Sequence, residues 1–185
     1  MSAVPRALVL AAIVLFVCNI GAAQPKRTDL VTGPIGISLI VPEGFERFTE
    51  EQMTRIHERG LPAKFIFFDQ KTDGLIVINT LGSNASSAGL PGVEADIKSS
   101  ARKQQSFAER ERNVIKINGR KWLRFSIREG TGDGATISSY YVTDWVGQYV
   151  LLYFSSPVSK YEQLKKSYQQ SAASIHLEMI VETFK

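Results

Sequence analysis

The sequence predicts an α+β domain, a mostly antiparallel sheet with helices on both faces in a three-layer α/β/α sandwich. Three observations predict it. The segments Lys64–Phe68, Leu75–Leu81 and Gln148–Phe154 are apolar at nearly every position, and a strand that does not alternate is covered on both faces. The links between strand candidates are short turns, which makes neighbouring strands antiparallel. Tyr161, Leu164, Tyr168, Ala172 and Ile175 recur at helical spacing, and such a stripe lies on a sheet.

The chain opens with a segment that is removed from the fold. Residues 1–23 read as a secretory signal peptide: Arg6, then the apolar run Ala7–Ile20, then Gly21-Ala22-Ala23 before Gln24. A retained anchor fits less well, because a spanning helix needs about 20 apolar residues. A lipoprotein also fits less well, since bulky Val17 precedes Cys18 where a small residue is expected. Cys18 is the single cysteine of the chain. Once the leader is cut, no disulfide, thiol nucleophile or cysteine metal site remains. A disulfide-free exported domain suits a bacterial periplasm. Asn84-Ala85-Ser86 matches a glycosylation sequon, which has meaning only in a eukaryote. The formal charge is +4, which is mild and unclustered, so a nucleic-acid partner is not expected. No later segment is long and apolar enough to span a membrane.

The rest follows in order. Residues 24–33 are a polar, loose N-terminal arm, and residues 34–185 form one domain. Ile35–Val41 is a strand stopped by Pro42. Thr49 and Gln52 make a capping box for a short helix, Glu50–Arg59, closed by Gly60. Lys64–Phe68 and Leu75–Leu81 form a hairpin. Pro91 to about Glu111 is a second helix with a weak apolar stripe. Asn113–Ile117, the turn Asn118-Gly119 and the strand Arg120–Arg128 come next. Gly130–Gly134 joins that strand to Ala135–Thr143, and Asp144–Gly147 turns into Gln148–Phe154. Ser159 and Glu162 make a capping box for the last helix, behind Pro157. Leu177–Lys185 is a short strand or tail.

The search for chemistry finds no catalytic constellation. His57 and His176 are read on different helices, without acidic partners at metal-ligand spacing, as exposed or capping residues. Gly130–Gly134 has neither the Lys-Ser/Thr of a phosphate loop nor the acidic spacing of a calcium loop, and reads as a connection. Glu50 and Glu51 suit a helix N-terminus without catalysis. No cofactor, metal or catalytic residue is therefore expected. One strand stands out. Arg120, Trp122, Arg124 and Arg128 share one parity. They make either a ligand platform or a structural strand near the sheet edge, where charges discourage strand addition and arginine stems pack over Trp122. Trp145, in a turn, either anchors a partner or folds back onto the core. Trp145, Trp122, Arg120, Arg124 and Arg128 are the candidate contacts.

The early strand ends Pro42-x-Gly44-Phe45. An Ile117-Asn118-Gly119-Arg120 turn opens a strand. A Tyr149–Phe154 strand precedes a helix with Tyr161, Leu164, Tyr168 and Ser174-Ile175. In this order and these motifs, over about 35–177, the chain resembles the Mog1/PsbP-like group, including DcrB-type bacterial exported proteins. The resemblance implies an antiparallel sheet between helices and an accessory or binding role, with no catalytic residues to carry over. The expected function is an exported, non-catalytic binding or accessory protein of the bacterial envelope, partnered by an envelope or secreted protein. A carrier of a lipid or anionic metabolite, and a hydrolase with an unrecognised site, are the alternatives.

Overall fold

A seven-stranded antiparallel sheet, ordered β3-β4-β5-β9-β8-β7-β6, forms the centre of the computed structural model. The strands are β3 (Glu46–Arg47), β4 (Phe65–Asp69), β5 (Gly74–Gly82), β6 (Phe107–Ile117), β7 (Arg120–Glu129), β8 (Thr136–Trp145) and β9 (Gln148–Pro157). A three-stranded sheet, ordered β1-β2-β10, is built from Arg27–Thr32, Ile35–Ile40 and His176–Met179. The helices are α1 (Glu50–Glu58), α2 (Gly89–Gln104) and α3 (Val158–Ala173). The structure describes residues 27–58, 63–82, 89–104 and 107–180. The expected leader, Cys18, the sequon and Gly60 lie outside them.

Two apolar clusters show that both faces of the main sheet are covered. On one face, Phe65, Phe67, Ile76, Ile78, Trp122, Tyr141 and Phe154 pack with Leu164, Tyr168 and Ala172 of α3 and with Ile35, Ile37 and Leu39 of β2. On the other, Leu123, Phe125, Ile127, Tyr140 and Val142 pack with Val93 and Ala101 of α2. The fold is therefore the predicted α+β sandwich, with one refinement. The layer on the α3 face also contains the small sheet. Helix α1 contributes no buried residue.

Several local expectations hold for stated reasons. The Thr49 N–H donates to Gln52 Oε1 at 2.8 Å and the Gln52 N–H to Thr49 Oγ1 at 3.3 Å, which is the capping box. Asn118 and Gly119 have φ of 47° and 79°, the pair of left-handed residues that a tight hairpin turn needs.

Others differ. The arm is not loose throughout: Arg27–Thr32 pairs with β2, and Leu30 is buried. Helix α2 ends by Gln104, and Phe107–Arg112 extends β6 instead of the helix. Ala, Glu and Arg favour helix locally, but β7 offers a full edge to pair with, and tertiary context overrides propensity. The Ser159–Glu162 box is absent. Helix α3 starts at Val158 behind Pro157 without a side-chain cap, and the Val158 N–H donates instead to Ala135 O at 2.9 Å.

A charged cluster ties α2 to the sheet edge. Glu94, with its side chain 7% exposed, meets Lys98 at 2.6 Å and Arg112 at 2.9 Å, and Lys98 also meets Glu109 at 2.8 Å. Burial pushes the Glu94 carboxyl up, but the bonds from Arg112 and Lys98 outweigh it and hold the group below its usual range. A carboxyl depressed in this way stabilises the fold above its unfolded pKa, and the contribution fades as pH falls through the folded value. Glu94→Gln should therefore cost about 2 kcal/mol at neutral pH. In paired denaturant titrations the gap between the two proteins should narrow as the pH falls below the ordinary glutamate range.

Candidate functional site

Strand β7 divides its residues by parity. Leu123, Phe125 and Ile127 face α2, and Trp122 lies in the α3-side core. Trp122 is 1% exposed, so the platform reading fails for it: its indole is core, not a contact. Arg124 lies beside it on that face, pairs with Glu111 at 2.7 Å, and holds its guanidinium 5.8 Å from the Tyr141 ring. Arg128 is half-buried near the other end of the strand, and its Nε has no acceptor. Arg124 is thus engaged within the fold, and Arg128 is mostly withdrawn from solvent. β7 is the second strand in from the edge, with β6 outside it.

Arg120 and Trp145 are brought together. The Arg120 guanidinium carbon stands 3.7 Å from the centre of the Trp145 ring, a close cation–π stack. One Arg120 nitrogen also donates to Asp144 O at 3.3 Å. The indole N–H of Trp145 points to Glu178 O at 3.4 Å, at the long end of a hydrogen bond. Trp145 thus folds back, half-buried, onto the core and the free edge of β10. Nearby, the Asn118 side chain donates to Ile175 O. Both hairpin turns at this end of the sheet are hooked onto the segment that follows α3.

Beside the stack lies a half-open pocket of about 320 Å³, lined by Arg120, Asp144, Trp145, Val146, Gln148 and Tyr149 with Gly147. Val146 is its unusual member. Trp145 pairs with Gln148, so Val146-Gly147 is a two-residue turn, and the two have φ of 49° and 70°. Such a turn prefers Asn-Gly, as at Asn118-Gly119. A β-branched residue there is a true outlier, and strain of this kind collects at functional sites. Val146 is also 43% exposed, so core packing does not require its side chain. The sequence carried the signal, a Val-Gly pair in a hairpin turn, and turn chemistry rather than composition would have found it.

Other polar groups bond within the fold. Ser138, fully buried, donates to Glu129 Oε2 at 3.0 Å and sits 3.3 Å from both the Tyr153 hydroxyl and Ser155 Oγ. Burial, with Tyr153 and Glu129 close by, holds the Tyr140 hydroxyl well above its usual range, and burial does the same for Tyr153. These phenols stay protonated and neutral. His57 Nε2 bonds Ala63 O at 2.7 Å, a backbone cap, and His176 is exposed on β10. Gly132–Gly134 forms one turn of 3-10 helix inside the β7–β8 connection. Among the described residues no group of His, Cys, Asp and Glu could hold a metal ion.

No family model matches the chain, and no curated protein matches it. Solved structures do. Cyanobacterial PsbP (CyanoP) from Synechocystis sp. PCC 6803 superposes with a TM-score of 0.56 at 13% identity, covering 85% of this chain and 96% of its own. The Saccharomyces cerevisiae Ran-binding protein Mog1p gives 0.55 at 11% identity, covering 82% and 94%. LpqN, involved in cell envelope biogenesis of Mycobacterium tuberculosis, gives 0.53 at 13% identity, covering 82% and 90%. At such identities the likeness is one of fold. The chain has the α+β Mog1/PsbP-like fold, as the sequence motifs implied.

Two substitutions separate strain from packing. Val146→Asn should stabilise by about 1 kcal/mol, raising the melting temperature by about 3 °C. Trp122→Ala should cost about 3–5 kcal/mol, as expected of a large core residue. Thermal and denaturant unfolding read both.

Proposed function

We propose that the chain is an exported, non-catalytic binding or accessory protein of the bacterial envelope, and that it meets its partner at the β8–β9 turn. The leader-like N-terminus supports export. A fold shared with a Ran-binding protein and with an envelope-biogenesis protein is compatible with a binding role. The observation that carries the reading is Val146. It holds a backbone conformation that disfavours valine, it is exposed, and it stands beside an arginine already immobilised on Trp145. An apolar contact next to a pre-ordered guanidinium loses little side-chain freedom when a partner binds, and arginine and tryptophan are enriched at binding hot spots. The DcrB-type likeness read from the sequence motifs points to the same envelope setting.

Quantitative crosslinking in the native envelope tests this. The wild type is compared with Val146→Asn, which keeps the turn, and Arg120→Ala. Both variants should lose the same crosslinked partners by at least about tenfold, equivalent to about 1.4 kcal/mol, while melting as folded proteins. Full retention of every partner by both variants would remove the assignment.

A further inference from the structure

A like-charged pair lies at the same end of the sheet. Lys116 of β6 pairs directly with Lys121 of β7 in the antiparallel ladder, and both are exposed. Like charges placed directly opposite repel and weaken a sheet. No carboxylate lies within ion-pair distance of either lysine among the described residues, whereas Glu94, Glu109 and Glu111 are all paired nearby. Asp144 is the one acidic group on the cross-strand row of this pair. It lies across β8 from Lys121 if the β7–β8 register is continued by two residues, it pairs with Tyr149, and it forms no salt bridge. Two residues before Lys116, on the same face of β6, Val114 is 62% exposed. Val114 and Val146 are two of the four exposed large apolar residues among those described.

We propose that the partner presents an acidic, extended segment with interspersed apolar residues, which lies across the strands here from the Val146 turn to Lys116. This rests on the reading of the Val146 turn as the contact site and adds the chemistry of what docks there. The charge pattern selects the occupant: Lys116 and Lys121, neither of them in a salt bridge, are complementary to carboxylates, with the Arg120 guanidinium at the turn on the other face of the sheet, and a partner that neutralises the lysine pair relieves the repulsion present in the free protein. A strand face that exposes Lys116 and Val114 two residues apart suits an extended chain better than a membrane surface, which would need several apolar residues at the turn tip, and Val146 stands there beside exposed Asp144.

The probe is a synthetic octapeptide of alternating Glu and Val, titrated against the full mature chain by amide NMR, with the Gln-for-Glu octapeptide as control. The acidic peptide should shift the amides of Lys116, Lys121 and Val146, and the Gln peptide should not. Lys116→Glu should weaken the response at least about tenfold while raising the melting temperature, because it turns a like pair into an opposite one. A merely structural lysine would give no loss of binding. Equal response to both peptides, or none to the acidic one, overturns the proposal. So does Lys116-dependent binding to phosphatidylcholine vesicles containing phosphatidylglycerol without any response to the peptide, which would assign a lipid surface instead. Native crosslinks lost in Val146→Asn but kept in Lys116→Glu would leave the Val146 site standing and remove only the acidic segment.

Discussion

A sheet whose inner strands are apolar on both faces cannot face water on either, and the rest of the molecule is arranged to cover it. β5 and β9 set the condition: Ile76, Ile78, Leu152 and Phe154 point one way, while Leu151 and Tyr153, with Val77 paired to Tyr153, point the other. One helix is too narrow to cover seven strands. On one face α3 is joined by the small sheet β1-β2-β10, whose Ile35, Ile37 and Leu39 are almost fully buried. The first and last strands of the described residues, Arg27–Thr32 and His176–Met179, both pair with β2 in this layer. Their ladder to β2 supplies the backbone bonds that a buried segment must make.

The exposed end of the sheet is closed by charge instead of by bulk. β6 is a long edge strand, and such edges invite pairing with other chains. A register shift between Glu109 and Glu111 changes the parity of the strand, so that Glu109 opposite Ile127 and Arg112 opposite Phe125 both reach the α2 side. They close on Lys98 and Glu94 there, while Glu111 turns to Arg124 on the opposite face. An unbulged strand would have sent Glu109 and Arg112 to opposite faces. The alternating Glu-Arg sequence is thus a clamp on both layers, and its charges are mostly spent inside the molecule.

The sheet and its double coverage were legible in the sequence because continuous apolar runs have one physical meaning in an antiparallel fold. The turn at Asn118-Gly119 and the Thr49–Gln52 cap were legible because each residue type answers a local backbone need. What the sequence hid was non-local. Nothing in Arg27–Thr32 announces a strand, since its partner β2 and the core beneath it supply the reason. Phe107–Arg112 reads as helix by propensity and becomes strand by pairing. Trp122 and Arg124 share a parity, yet one is core and the other an ion-pair partner, because only the position of α3 and of Glu111 distinguishes them. Of the candidate contacts, Arg120 and Trp145 come together because the antiparallel β7–β8 ladder brings the start of one strand beside the end of the next.

The two hairpin turns at one end of the sheet have the same length and almost the same backbone, so comparing them isolates what differs. Asn118-Gly119 uses the residue pair that the geometry prefers, and its asparagine also fastens the turn to Ile175 O. Val146-Gly147 adopts that geometry with a residue that resists it, and the side chain so displayed is 43% exposed and belongs to neither apolar cluster. The neighbouring anchors, Trp145 over Glu178 O and Arg120 over Trp145, hold the strained turn in place. Strain persists only where surrounding contacts over-determine the conformation, and here those contacts are Trp145 and Arg120. The apolar group and the cation at this end of the sheet are therefore fixed before any partner arrives, which places the ordering cost of recognition in folding and not in binding.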